Sequence, residues 1–155
     1  MIGKVMGGEG IGEVVESNSA QIGIGSKVIG PLGWQEFADL KPQQLRVVPD
    51  DGLLTAHLGP LGSSGLTAYF GLLRVGQPEA GDTVVISGAA GAVGSTAGQI
   101  ARICGCHVIG TAGGQDKCDW LVNEIGYDAA IDYKSENVKT RLKDLASGGV
   151  NVFFD

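Results

Sequence analysis

The sequence predicts an α/β chain in two parts, a small, incomplete β-barrel followed by the first half of a doubly wound parallel sheet. Three observations carry this. The texture changes near residue 53, from short β-branched runs between turn residues to longer apolar segments. From residue 83 onward, near-continuous apolar runs of strand length alternate with helix-length segments, the signature of parallel βαβ units. Glycine fills 27 of 155 positions, well over twice the usual share of about 7%, as expected of a chain with many tight bends and close backbone approaches.

The elements follow in order. Ile11-Gly12-Glu13-Val14-Val15-Glu16 is a first short run, ended by Ser17-Asn18-Ser19. Lys27-Val28-Ile29-Gly30 is a second, stopped by Pro31. Trp34-Gln35-Glu36-Phe37-Ala38 alternates with a period near two and predicts a third, and Leu45-Arg46-Val47-Val48 ends at Pro49. The glycines among them predict bulges and bends of a distorted barrel. Residues 53–57 form a helical turn, and 66–73 a helix stopped by Gly76 and Pro78. Strands are then expected at 83–86, 107–110, 129–131 and 151–154, with helices at 92–103, 116–125 and 137–145 between them. Such units connect by right-handed crossovers.

Composition excludes several function classes. Eleven Lys and Arg against 17 Asp and Glu give a net charge of −6, and no basic patch suits a phosphodiester backbone, so no nucleic-acid partner is expected. No apolar run approaches the roughly 18 residues that span a bilayer, so no membrane partner is expected. Residues 1–6 lack the charged head and apolar core of a signal peptide, which makes the cytoplasm the expected location. Cys104, Cys106 and Cys118 are odd in number and form no CxxC pair, which argues for reduced thiols. Cys104, Cys106 and His107 could be drawn as a metal site; as alternate residues of a strand and a helix end, the cysteines read more simply as small core hydrophobes.

The informative stretch is Ser87-Gly88-Ala89-Ala90-Gly91-Ala92-Val93-Gly94, which follows a strand and opens a helix. That context is required of a dinucleotide-binding fingerprint. A backbone that must approach a pyrophosphate tolerates no side chain at Gly91, and tight packing of helix on strand explains Gly94. The helix start offers unpaired N–H groups and a positive dipole end. The match to G-x-G-x-x-G is imperfect, because Ala89 holds the first glycine position. NAD-binding folds place an acid about 20 residues on, at the second strand's tip. Here Thr111 to Gly113 carry none, so a 2′-phosphate fits without repulsion and NADP is favoured over NAD. Lys117 could pair with that phosphate or could be a solvated surface lysine. Asp116 lies past the turn and reads as a helix-start residue.

These blocks resemble the medium-chain dehydrogenase/reductase superfamily, in its zinc-independent branch of leukotriene B4 dehydrogenase, prostaglandin reductase and alkenal double-bond reductase. The resemblance rests on Gly33-Trp34-Gln35-Glu36, Gly65-Leu66-Thr67-Ala68-Tyr69-Phe70-Gly71-Leu72, Ala89-Ala90-Gly91-Ala92-Val93-Gly94-Ser95, Gly98-Gln99-Ile100-Ala101 and Phe154-Asp155. It implies a partial GroES-like β-barrel (residues 1–56), then a linker helix and the first half of a Rossmann doubly wound parallel sheet (57–155). It also implies an active site in the cleft between the two domains, and hydride transfer from NADPH to the β-carbon of an α,β-unsaturated ketone or aldehyde. By the same resemblance Ala90, Gly91, Ala92, Val93 and Gly94 match the pyrophosphate loop, Lys117 the 2′-phosphate lysine, Tyr133 a tyrosine at the same phosphate, and Thr67 a residue near the nicotinamide.

The departures are informative. Zinc-dependent relatives carry a cysteine ligand where this chain has Leu61, and their four clustered zinc cysteines are absent, so no metal site is expected. Polarisation of the carbonyl must then come from a hydroxyl or the cofactor ribose. The family's tyrosine acid belongs to a segment after residue 155, so no catalytic residue is assigned; Tyr69 is a poor substitute, its helical register predicting core packing. Family members are about twice this long, and the expectation is a truncated chain whose complete form could be a homodimer. Quinone oxidoreductase chemistry and a non-catalytic nucleotide-binding remnant are the alternative readings.

Overall fold

The computed structural model describes residues 2–155. The chain forms two compact units, one running to Gly62 and the other spanning Ser63–Asp155. A 3-10 turn at Leu54–Leu58, where the texture of the sequence changes, packs with the first unit against its first strand. Gly62 closes that unit: a Cβ there would sit 2.3 Å from the His57 carbonyl oxygen.

In the first unit β1 (Gly10–Glu13), β2 (Lys27–Gly30) and β3 (Arg46–Val47) form an antiparallel sheet in that order. Ile11 faces Ile29 in the ladder, and its far end is closed by the Lys27–Glu13 ion pair at 2.5 Å. Val28 and Ile29 are buried. Gly30 has to be glycine, because a Cβ would lie 2.7 Å from Leu45 and 2.9 Å from the Gln44 carbonyl. The strand expected at residues 34–38 does not form. Gly33 turns the chain with φ +69°, the Trp34 amide donates to Met6, and the Gln35 side chain caps the Leu32 carbonyl. With no ladder beside it, the alternating segment stays a bend, and Trp34 and Phe37 stand about three-quarters exposed (75% and 74%).

The second unit is a four-stranded parallel sheet in the order β6-β5-β4-β7, built from β4 (Thr83–Ile86), β5 (His107–Ala112), β6 (Ala129–Asp132) and β7 (Val152–Phe154). The helices are α1 (Ser63–Phe70), α2 (Ala92–Ile103), α3 (Gln115–Trp120) and α4 (Val138–Leu145). Each expected strand and helix of this unit is present. Helix α1 starts three residues earlier than the pattern suggests, and α1 and α3 both run on into π-helical turns, Gly71–Gly76 and Leu121–Ile125. Asn137 caps α4 by accepting from the Thr140 amide at 3.0 Å.

Strands β4, β5 and β6 are covered on both faces, which is why they are mostly apolar. Val84, Ile86 and Val108 pack with Ala97 and Ala101 of α2 and Leu72 and Leu121 of the π turns, while Val85, Ile109 and Ile131 pack under Val138, Leu142 and Leu145 of α4. Strand β7 adds beside β4, its start fixed by Asn151 on Thr83 and its end by Ser87 on Phe154 and Asp155. The strand order reverses between β4 and β7, the switch point at which open α/β sheets take ligands.

A close approach between buried, rigid partners in this unit is at Tyr127. Its ring fills the space over Gly98 of α2 and Gly110 of β5: a Cβ would come within 2.1 Å of the ring at Gly98 and 2.8 Å at Gly110. Gly98→Ala therefore overpacks a buried contact between rigid partners. Urea unfolding is expected to show a loss of about 1–3 kcal/mol, whereas the same change at exposed Gly148, where nothing lies within 4 Å, stays within about 0.5 kcal/mol.

Candidate functional site

The βα turn after β4 is held by contacts that glycines make possible. Gly88 takes φ +53° and turns the chain. Its carbonyl accepts from the Gly91 amide at 2.8 Å, and the Ala89 amide donates to Thr111 of β5 at 3.0 Å. A Cβ at Gly94 would lie 2.6 Å from the Gly88 oxygen and 2.7 Å from the Ala89 Cα, and one at Gly91 3.2 Å from the same oxygen. These are the close approaches the fingerprint calls for. The alanine at its first position is also accounted for: Ala89 is fully buried with its methyl towards Gly110, where a second Cβ would be 2.8 Å away. The glycine that makes the room stands on β5.

Helix α2 opens without a side-chain cap; its N-cap residue is Gly91, and the first amide used by the helix ladder is that of Ser95, to Gly91 at 2.9 Å. The amides of Ala92, Val93 and Gly94 thus remain unfilled at the positive end of a helix of 12 residues. Gly91 and Ala92 are exposed. Bare backbone, free donors and favourable dipole together suit a pyrophosphate.

A second cluster gathers at the tips of β5 and β6. Gly113 is bare, and Tyr133 lies over it: a Cβ there would be 2.5 Å from the tyrosine hydroxyl and 3.1 Å from Cε of Lys134. No carboxylate occupies Thr111 to Gly113. Lys117 stands exposed in the first turn of α3, its amide on the Gly114 carbonyl at 3.2 Å. Asp116 is exposed in the same turn.

Sequence reasoning missed Asp132. This buried carboxylate accepts from the amides of Gly114 (2.8 Å) and Lys134 (3.0 Å) on one oxygen and from the Ser135 hydroxyl (2.8 Å) on the other. The amides of Lys134 and Gly114 and the Ser135 hydroxyl hold its carboxyl below the usual range, against the opposing effect of burial. The one signal available was an acid closing an apolar strand before a polar turn, Ile131-Asp132-Tyr133-Lys134-Ser135. Tyr127 was missed too; its hydroxyl donates to the Gly94 carbonyl at 2.7 Å and braces the turn after β4.

The remaining sequence candidates sit elsewhere. Thr67 is exposed on α1, its hydroxyl on the Ser63 carbonyl at 2.8 Å. Tyr69 does not pack in the core: it is 48% exposed and meets the Phe70 ring edge-on at 5.3 Å, while Gly65, Ala68 and Leu72 are buried instead. Cys106 and Cys118 are buried core thiols pushed up by burial, and Cys104 is half-buried. Among the described residues no three His, Cys, Asp or Glu side chains converge as metal ligands, and no helix is long and apolar enough to cross a membrane.

Comparison with known proteins finds two families that match parts of the chain. A family described as the N-terminal domain of oxidoreductase matches residues 1–48, and one described as zinc-binding dehydrogenase matches residues 92–155. A Bacillus subtilis protein, YfmJ, whose name assigns it to the NADP-dependent oxidoreductases, is 48% identical over 155 residues, covering 98% of this chain and 45% of its own length. Bovine prostaglandin reductase 1 is 42% identical over 158 residues, covering 99% of this chain and 48% of its own length. The crystal structure of CurA from Vibrio vulnificus in complex with NADPH superposes with a TM-score of 0.93 at 37% identity, over 100% of this chain and 46% of that one. The chain spans about half the length of the curated relatives it matches.

The depressed carboxyl of Asp132 has a signed consequence. The unfolded chain binds the proton more readily, so the stabilisation is fully present above the ordinary value of 3.8 and is lost as pH falls through the lower folded value. Acid titrations of stability should show the gap between wild type and Asp132→Asn holding steady at neutral pH and closing below pH 3.8.

Proposed function

We propose an activity for this chain from one premise: it belongs to the zinc-independent branch of the medium-chain dehydrogenase/reductase superfamily. Its fold is the one that branch uses, a partial GroES-like β-barrel followed by the first half of a Rossmann sheet. The proposed function is NADPH-dependent reduction of the C=C bond of α,β-unsaturated ketones and aldehydes. The observation that carries it is the uncapped, glycine-packed start of α2 facing the same sheet edge as an acid-free β5 tip.

The residues divide the work by charge and position. The amides of Ala92, Val93 and Gly94 receive the pyrophosphate, with Ala90 and Gly91 supplying the bare approach. Lys117 and the Tyr133 hydroxyl meet the 2′-phosphate, where an aspartate or glutamate would repel it. Thr67 stands at the nicotinamide end. When bound, the cofactor supplies a hydride to the substrate's β-carbon. Leu61, where zinc-dependent relatives carry a cysteine ligand, fits a route in which no zinc polarises the carbonyl. Reduced thiols fit a cytoplasmic setting; a small-molecule enone or enal substrate and a homodimer of the whole protein complete the proposal.

Two measurements test it. Titration of wild type and Lys117→Ala with NADPH and NADH should show tighter NADPH binding in the wild type. The variant should lose about tenfold in NADPH affinity, or about 1.4 kcal/mol, with NADH unchanged; an unaltered NADPH/NADH ratio removes Lys117 from the site. In an assay of NADPH oxidation by the whole protein, enones and enals should turn over. Turnover of quinones alone would replace the substrate class, and binding without turnover of either would mark a non-catalytic nucleotide-binding module.

A further inference from the structure

We propose that Asp132 is a positioning residue that sets the preference for a 2′-phosphorylated nucleotide by fixing the β5–α3 turn against the tip of β6. This rests on the functional reading above and adds to it a residue that makes no contact with the nucleotide.

The geometry is that of a clamp. One carboxylate oxygen accepts both the Gly114 amide at 2.8 Å and the Lys134 amide at 3.0 Å, so two chain segments 18 residues or more from each other meet at a single atom. The other oxygen accepts the Ser135 hydroxyl at 2.8 Å. Asp132 is only 6% exposed, and with three donors from its own chain it is not offered to a ribose hydroxyl as the acid of an NAD site is.

Each bond reaches one of the two phosphate-binding candidates. Gly114 stands at φ +113°, a conformation that leaves its peptide free to swing unless it is held. Its amide is held by Asp132, and its carbonyl accepts the amides of Lys117 (3.2 Å) and Cys118 (3.3 Å), which starts α3 and aims Lys117. On the other side the Lys134 amide is fixed one residue beyond Tyr133, whose own amide donates to Ala112 at 3.1 Å. The tyrosine is thereby pinned on both sides and kept over Gly113. Helix α3 has no side-chain cap of its own; this carboxylate, reached from another strand, fills the amide of its N-cap residue Gly114, the bond that an N3 acid makes in a capping box.

Asparagine separates the clamp from the charge. The Asn side-chain oxygen can accept both amides, and its amide group can donate to Ser135, so Asp132→Asn keeps the three bonds with one reversed; Asp132→Ala breaks all of them. NADPH and NADH affinities are measured for wild type and both variants on the full chain, together with amide exchange at Gly114 and Lys134 without nucleotide. The expected result is slow exchange of both amides in wild type and Asp132→Asn and fast exchange in Asp132→Ala. The NADPH/NADH affinity ratio should stay within threefold of wild type for Asn and fall at least tenfold for Ala. Equal losses for NADPH and NADH in Asp132→Ala would make the residue merely structural and overturn the proposal, as would fast Gly114 exchange in the wild type. A wild type with protected amides but no NADPH preference would overturn the functional reading instead, and the positioning role with it. A wild type that prefers NADPH and keeps that preference in Asp132→Ala would overturn the positioning role alone.

Discussion

Gly98 on α2 and Gly110 on β5 leave a space that the ring of Tyr127 fills, and the placement of the second unit's site follows from that contact. Any side chain at Gly98 would meet the ring at 2.1 Å. A buried phenol needs a hydrogen-bond partner, and burial pushes its pKa upward, so the hydroxyl stays protonated as a donor. It finds the Gly94 carbonyl at 2.7 Å. The residue that closes the turn after β4 is therefore also the one pinned from the core. Glycines permit the approach, the aromatic ring fills it, and the helix start is left rigid, bare and uncapped.

Parallel pairing then sets where the rest of the site can be. Strands β4, β5 and β6 run in the same direction in register, so their carboxyl ends, and the turns that follow them, share one edge of the sheet. The turn after β4 carries the free amides of α2, that after β5 carries Gly113, Gly114 and Lys117, and that after β6 carries Tyr133. The two ends proposed to hold the cofactor's phosphates thus differ in chemistry. One is backbone at a helix start, where any side chain would intrude. The other is a lysine and a phenol held in place by a buried carboxylate. Repulsion from Asp132 is limited because three donors of the chain already spread its charge.

Much of this was legible in the sequence, and the pattern of what was not is physical. Strand positions in the second unit were readable because strands buried on both faces must be apolar throughout, as Thr83-Val84-Val85-Ile86 is. The glycine-packed turn after β4 was readable because close backbone approach demands missing side chains at fixed spacing, as at Gly91 and Gly94. Alternation misled at Trp34 to Ala38, since it marks a half-buried strand only where a neighbour offers a ladder. The register of Tyr69 misled because α1 buries its small residues, Gly65 and Ala68, and leaves Leu66, Tyr69 and Phe70 outward. Asp132 and Tyr127 were illegible for another reason. Their partners, Gly114 and Gly94, lie 18 and 33 residues away, and only the fold brings them together.

The unfilled amides at the start of α2 are the proposed anchor for a dinucleotide pyrophosphate. The most direct measurement is the change in backbone amide resonances of the chain as NADPH is added. Saturable shifts of Ala92, Val93 and Gly94 are expected, joined by those of Lys117 and Tyr133 at the same concentration. NADPH binding that leaves the amides of Ala92 to Gly94 unmoved, or no saturable shift anywhere, would contradict it.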